Sequence, residues 1–326
     1  MNQFLATLTP KKVLNLLKNR VSFALALATK RGRVAGAPVS LSVEPAAVCQ
    51  LHCPECVMGS GRLVRKNHYL DFEIFKSVID QNADTLCYLM LYFQGEPFLA
   101  PKIFEMIRYA NERGIYTATS TNAQNIDQEM AEKIVLSDLK RLIISIDGTT
   151  QKSYERYRRG GKLQNVLEAI GFINQAKQKL SIKTPEIELQ FVVFRHNENE
   201  IDDFLRLKHQ LNVQKCSVKT AQIYNFEEKS ELIPQNPKFS RYIYKKGVWQ
   251  LKRAQHNFCL RQWQGAVVTS DGDVVPCCFD KNAEHRFGNL RDSDFKTIWQ
   301  GSAANDFRQQ ILMNRHNIDI CQNCTE

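Results

Sequence analysis

The tightest constraint on this chain is the stretch Cys49-Gln50-Leu51-His52-Cys53-Pro54-Glu55-Cys56, whose cysteines are spaced C-x3-C-x2-C. Such offsets would share one helix face, but Pro54 removes a backbone donor and clashes with the preceding turn. The spacing therefore predicts a loop that curls its thiolates toward one point. Three sulfurs suit a cube-shaped iron–sulfur cluster with one iron left free of protein. A structural zinc would want a fourth ligand from a second pair. Half a zinc site and three unrelated thiols remain the competing readings of the spacing alone.

The stretch follows Val39-Ser40-Leu41-Ser42-Val43-Glu44-Pro45, an alternating pattern that predicts a strand. A first strand followed by this cysteine loop resembles the radical S-adenosylmethionine enzymes. The resemblance implies that the free iron chelates the methionine end of S-adenosylmethionine. A 5′-deoxyadenosyl radical then abstracts hydrogen from a substrate, while the protein holds, orients and shields the cofactor. Glu55 departs from the family, which often has an aromatic or bulky apolar residue before the last cysteine.

A chain of 326 residues suffices for one large domain or two. Ten cysteines are too few for a disulfide scaffold of this size, so metal-bound thiols in a reducing cytoplasm are expected. No apolar run is long enough to span a membrane. The net charge of +10 raises nucleic acid, membrane surfaces and anionic substrates as partners, beside the plainer reading of a solvated basic face.

Residues 1–37 form a basic N-terminal extension carrying Lys11, Lys12, Lys18, Arg20, Lys30, Arg31 and Arg33. Val13, Leu14, Leu16, Leu17, Val21, Phe23, Leu25 and Leu27 could line one apolar helical face. A helix packed by that face on the main domain is the first expectation, and peripheral contact with an anionic membrane is the second. The apolar run is too short, and its followers too basic, for a secretory signal.

From 38 to 220 strand and helix patterns alternate. Strands are predicted over 86–93, 115–121, 141–146, 186–194 and 213–220, with helices over 71–82, 101–113, 127–137, 162–180 and 201–211. With the strand before Cys49 this makes six βα units, hence α/β with a parallel sheet, a partial (β/α)6 TIM-like barrel. In such barrels the chemistry sits at the C-terminal strand ends, where the cysteine loop falls.

The other strand ends carry weaker motifs. Gln94-Gly95-Glu96-Pro97 is similar to the family's Gly-Gly-Glu-Pro, with Gln94 replacing a glycine. The resemblance gives Gly95 and Glu96 the methionine amino group. Thr121 and Asn122, in Ser120-Thr121-Asn122-Ala123, resemble Thr-Asn-Gly and would meet the ribose or the methionine end. Ser145, Asp147 and Arg158 fall in segments similar to the family's ribose and carboxylate contacts. Turn formation and helix capping are the competing readings of all of these.

Residues 221–258 break the alternation and read as a linker, with or without a helix. The region 259–326 holds Cys259, Cys277, Cys278, Cys321 and Cys324, with Asp271-Gly272 between β-rich arms marking a hairpin. A hairpin with flanking cysteines plus a distant C-x2-C is a four-thiolate site for zinc or an iron–sulfur cluster. The phrases Asp271-Gly272-Asp273-Val274-Val275-Pro276-Cys277-Cys278, Gly288-Asn289-Leu290 and Ile298-Trp299 resemble the auxiliary-cluster domain called SPASM, or twitch in its shorter form. That resemblance implies one auxiliary [4Fe–4S] cluster on Cys259, Cys277, Cys321 and Cys324, with Cys278 a bystander or a substitute for Cys277. Cys87 and Cys216 lie in strand patterns and read as core thiols.

The reading is a radical oxidoreductase in which the auxiliary cluster accepts the second electron. The substrate is a sugar- or cyclitol-like alcohol, as in the aminocyclitol dehydrogenase whose twitch domain this region resembles. The alternative is a peptide-modifying maturase. A flavodoxin or ferredoxin would supply the low-potential electron. A zinc-dependent nucleic-acid-binding protein is the reading from another class, but the basic residues are scattered and the aromatics form no stacking platform, so no nucleic acid is expected.

Overall fold

A computed structural model describes residues 2–325. Six parallel strands alternate with helices. The strands are β1 (Ser40–Val43), β2 (Tyr88–Met90), β3 (Tyr116–Thr121), β4 (Arg141–Ser145), β5 (Glu186–Val193) and β6 (Lys215–Thr220). Each pairs in parallel with the next. Before them lie α1 (Asn2–Leu5) and α2 (Pro10–Thr29), and between them α3 (Phe72–Asn82), α4 (Ile103–Glu112), α5 (Gln128–Leu136), α6 (Gln151–Tyr157), α7 (Leu163–Lys179) and α8 (Ile201–Gln210).

Sequence explains most of these limits. Asp71 caps α3 by accepting from the amides of Glu73 and Ile74, and Asp127 caps α5 through the Met130 amide. Phe75, Val78 and Ile79 of α3, and Met106, Ile107 and Ala110 of α4, turn inward onto strand residues such as Leu41, Leu89 and Ala118, all buried. The apolar run at 86–93 keeps ladder geometry for only three residues, yet Leu91 and Phe93 remain buried.

The sequence reading missed α6, which opens with a capping box between Thr150 and Ser153. The linker carries one 3-10 turn (Ser230–Leu232) and a ribbon: β7 (Tyr242–Lys245) pairs antiparallel with β8 (Val248–Leu251). Its turn, Lys246-Gly247, puts both residues at positive φ (55° and 83°), the geometry of a two-residue hairpin.

The last segment contributes β9 (Gly265–Val268), β10 (Asp273–Val275) and β11 (Gly288–Asn289), then α9 (Phe295–Gln300), α10 (Ser302–Asn314) and α11 (Asp319–Gln322). The hairpin joins the barrel sheet: β9 pairs in parallel with β1, Ser40 opposite Gly265. The strand order is β11-β10-β9-β1-β2-β3-β4-β5-β6, a single nine-stranded sheet. Side chains reinforce the union. Trp263 donates to the Arg33 carbonyl (3.0 Å) and Trp299 to the Gly36 carbonyl (2.9 Å), tying both ends of the chain together.

The N-terminal extension packs on the barrel by only part of its apolar set: Phe23 and Leu27 lie against the core, but most of the inward face is polar. Lys12, Asn15, Asn19, Ser22 and Ala26 of α2 are buried, while Leu14, Leu17, Val21 and Leu25 are exposed. Buried hydrogen bonds to backbone carbonyls, such as Asn19 to Ala37 (2.7 Å), decide the orientation.

Candidate active site

The loop after β1 brings Cys49, Cys53 and Cys56 to one wall of a cavity of about 260 Å³ at the C-terminal strand ends. The other walls include Gly95 and Glu96 after β2, Thr121 and Asn122 at the end of β3, Ser145 at the end of β4, and Arg158 after α6. Asp147 does not line it. This fully buried carboxylate sits behind Arg158, accepting its Nε at 2.6 Å and the Val192 amide at 2.6 Å. Its place is that of a support for the arginine, not of a direct cofactor contact.

Gly95 holds φ +71°, and a Cβ there would come within 2.4 Å of the Ala46 carbonyl oxygen. Only glycine lets this turn press against the cysteine loop, so that the Glu96 amide bonds the Val48 carbonyl (2.7 Å). The Glu96 carboxyl accepts from the Thr121 hydroxyl (2.7 Å) and from the Asn122 amide (2.8 Å). Burial pushes its pKa up to about 7, against the pull of these hydrogen bonds. Thr121 thus reaches the cavity mainly through Glu96. Asn122 Nδ2 lies 3.5 Å from the Cys49 sulfur, and the Leu51 amide donates to the same sulfur at 3.4 Å.

Burial raises the Cys49 thiol to about 11 and the Cys53 thiol in the same direction, with Arg158 pulling Cys53 back down. Such thiols stay protonated unless a cation arrives. Among the described residues no three His, Cys, Asp or Glu groups meet around a single metal ion. The cysteines stand instead along cavity walls, a donor set with room for a polynuclear cluster.

Cys259, Cys277, Cys321 and Cys324 line a second, mostly apolar cavity with Phe279, Phe307, Ile311 and Ile320. Cys278 points away and is exposed, with Arg261 Nη1 3.1 Å from its sulfur. Arg315, buried, donates to the Cys324 sulfur at 3.2 Å. Four soft thiols and a buried cation suit a fully ligated cluster.

Sequence reasoning missed the far wall of the first cavity: Tyr92, Gln190, Thr220, Gln222, Arg241 and Lys281. Gln190 and Thr220 were findable, since both lie toward the C-terminal ends of their strands. A third cavity of about 590 Å³ adjoins. It shares Gln222 and Lys281 with the first and Phe279 and Ile320 with the second, so it lies between the two cysteine sets.

Comparison with known proteins agrees with this geometry. Residues 43–207 match the Radical SAM superfamily, and residues 259–325 match SPASM, an iron–sulfur cluster-binding domain. The chain is 25% identical over 311 residues to the mycofactocin maturase MftC of Mycobacterium ulcerans, covering 88% of this chain and 80% of that one. It is also 25% identical over 301 residues to the AdoMet-dependent heme synthase of Methanosarcina barkeri, covering 82% and 83%. Among solved structures, BtrN in complex with AdoMet and 2-DOIA superimposes with a TM-score of 0.56 at 16% identity, covering 90% of this chain and 95% of that one. Streptococcus suis SuiB bound to S-adenosylmethionine gives 0.64 at 15% identity, covering 94% and 75%. The chain therefore belongs to the radical S-adenosylmethionine superfamily, carries a C-terminal SPASM domain, and has [4Fe–4S] clusters and S-adenosylmethionine as its cofactors.

Proposed function

We propose that the protein catalyses a radical-initiated two-electron oxidation of a substrate bound between two cluster sites. The observation that supports this is the run of three adjoining cavities, with the largest between the two cysteine sets. When bound, a cluster at Cys49, Cys53 and Cys56 supplies the reductive chemistry that starts hydrogen abstraction, and one at Cys259, Cys277, Cys321 and Cys324 supplies an electron acceptor.

The side chains hold the reactants. Glu96, with Gly95, would hold the methionine amino group, and Asn122 would orient its end of the cavity. Ser145 and Arg158 take the ribose and carboxylate, with Asp147 fixing Arg158. The substrate loses one hydrogen as an atom, which leaves in 5′-deoxyadenosine, and a second as a proton and an electron. Four thiolates would ligate every iron of an auxiliary cluster, which favours electron transfer over substrate coordination.

Glu227, Glu228 and Glu284 stand around the third cavity against Lys281. A substrate with a cationic group fits this balance, and an amine-bearing sugar- or cyclitol-like alcohol combines that group with an oxidisable carbon. A basic peptide is the second reading, favoured by the PqqA peptide cyclase of Ruegeria pomeroyi among the relatives and by Streptococcus suis SuiB bound to precursor peptide SuiA among the solved structures. The reducing cytoplasm, with a flavodoxin or ferredoxin as donor, suits these thiols.

The test is anaerobic reconstitution with iron and sulfide counted per chain. We expect about eight irons, falling to about four in a Cys49/Cys53/Cys56→Ala variant, the content of two cubanes and then one. Cys277→Ala should lose the other set, and Cys278→Ala neither. 5′-Deoxyadenosine release, screened with aminocyclitols and with lysine-rich peptides, then separates the two substrate readings. Zinc without iron in a correctly reconstituted sample would overturn the proposal.

A further inference from the structure

We propose that α2 is a docking face for anionic membranes, which holds the enzyme on a lipid surface with its active site turned away. The outer face of α2 presents Leu14, Leu17, Val21 and Leu25 at three- and four-residue intervals, each more than half exposed. Leu5 of α1 is exposed as well. An ordinary surface helix turns such a stripe toward the core. Here it cannot turn, because the opposite face is pinned. Lys12 Nζ donates to the Gly114 carbonyl at 2.5 Å. Asn15 both donates to the Ala37 carbonyl (3.0 Å) and accepts from the Ala37 amide (2.9 Å). Ser22 Oγ accepts from the Ala35 amide at 3.0 Å. Rolling the leucines inward would strand these buried groups.

Charge identifies the occupant. Lys18 and Arg20 are exposed on α2, and Lys30, Arg31 and Arg33 are exposed just beyond it. Residues 1–34 contain no Asp or Glu. Leucine and valine along a helix with lysine and arginine beside them match the boundary between acyl chains and anionic headgroups. No helix among the described residues is long and apolar enough to cross a membrane, so the contact is one of lying on the surface.

The placement is also informative. The inner face of α2 touches Gly114, just before β3, and Ala37, just before β1, while Lys11 pairs with Asp84, before β2. These are the N-terminal strand ends, opposite the cysteine cavity. Docking by the stripe leaves the cavity mouths facing the aqueous side.

The experiment is flotation of the reconstituted full-length enzyme with vesicles of equimolar phosphatidylcholine and phosphatidylglycerol, or of phosphatidylcholine alone. We expect the protein to float with the anionic vesicles, and less so at high salt. Binding should drop by at least about tenfold in a Leu17→Gln/Val21→Gln/Leu25→Gln variant. A Lys18→Gln/Arg20→Gln variant should bind more weakly with the stripe intact. Unchanged iron content and circular dichroism would show that the variants fold. Absence of flotation, equal flotation of wild type and the triple variant, or a lipid-free dimer by light scattering that the triple variant dissolves would each overturn the proposal.

Discussion

Glu96 shows how one residue can be both support and ligand. Its carboxyl braces the β3 end through Thr121 and Asn122, yet burial holds its pKa at about 7, far above an ordinary glutamate. The sign of the consequence follows. Below that pH the free protein keeps the group neutral, and only the carboxylate is a strong acceptor for the N–H groups of the methionine amine. S-adenosylmethionine affinity should therefore rise about tenfold per pH unit up to about pH 7 and level off above it. Equilibrium dialysis from pH 5.5 to 8 reads this, and Glu96→Gln should bind weakly with no slope. A wild-type profile equally flat would show that Glu96 does not meet the methionine amino group. This residue was legible from its motif and its place after a strand. The supporting role of Asp147 was not, because a carboxylate beside a glycine reads the same whether it faces a ligand or props an arginine.

At the scale of elements, the loops around the site are joined by one buried carboxylate. Glu44, fully buried beyond the end of β1, pairs with Arg65 (2.7 Å to Nη2) and accepts the amides of Gln94 (3.1 Å) and Ser270 (2.9 Å). Arg65 in turn donates to the Lys281 carbonyl at 2.8 Å. The cysteine loop's continuation, the Gly95 turn and the C-terminal hairpin are thereby held together. Glu44→Gln should cost about 2–4 kcal/mol, since it leaves the buried guanidinium with only the more distant Asp271 carboxylate, 3.7 Å from Nη1, as counter-charge. Urea denaturation of the apo protein measures it, and a loss of only about 0–1 kcal/mol would place this bond with surface pairs. Such knots hide from periodicity, whereas the βα alternation does not. Apolar runs at 141–146 and 186–194 became β4 and β5 nearly residue for residue. Helix α2 was half legible. Its period was plain, but its inward face was decided by hydrogen bonds to the turn before β1, which no count of leucines reveals.

For the whole molecule, the consequential fact is that the chain reads as two domains and folds around one sheet. With β9 hydrogen-bonded to β1 and two tryptophans clasping residues 33–36, neither part buries its core alone. Calorimetry should record one cooperative unfolding transition for the apo protein. Two transitions would show that the cluster domain melts independently. The hairpin itself was legible from Asp271-Gly272; its parallel partner was not, because strand pairing across so much chain leaves no local mark. This pairing also sets an order of events on the ribosome. Until Gly265–Val268 emerge, β1 has β2 on one side and an unpaired edge on the other, the kind of edge that recruits foreign strands. The thiols of Cys321 and Cys324 emerge after Cys259, Cys277 and the strand that pairs with β1. Loading of the second cluster, which needs all four thiols, therefore comes after the strand that closes the open edge of β1 has emerged.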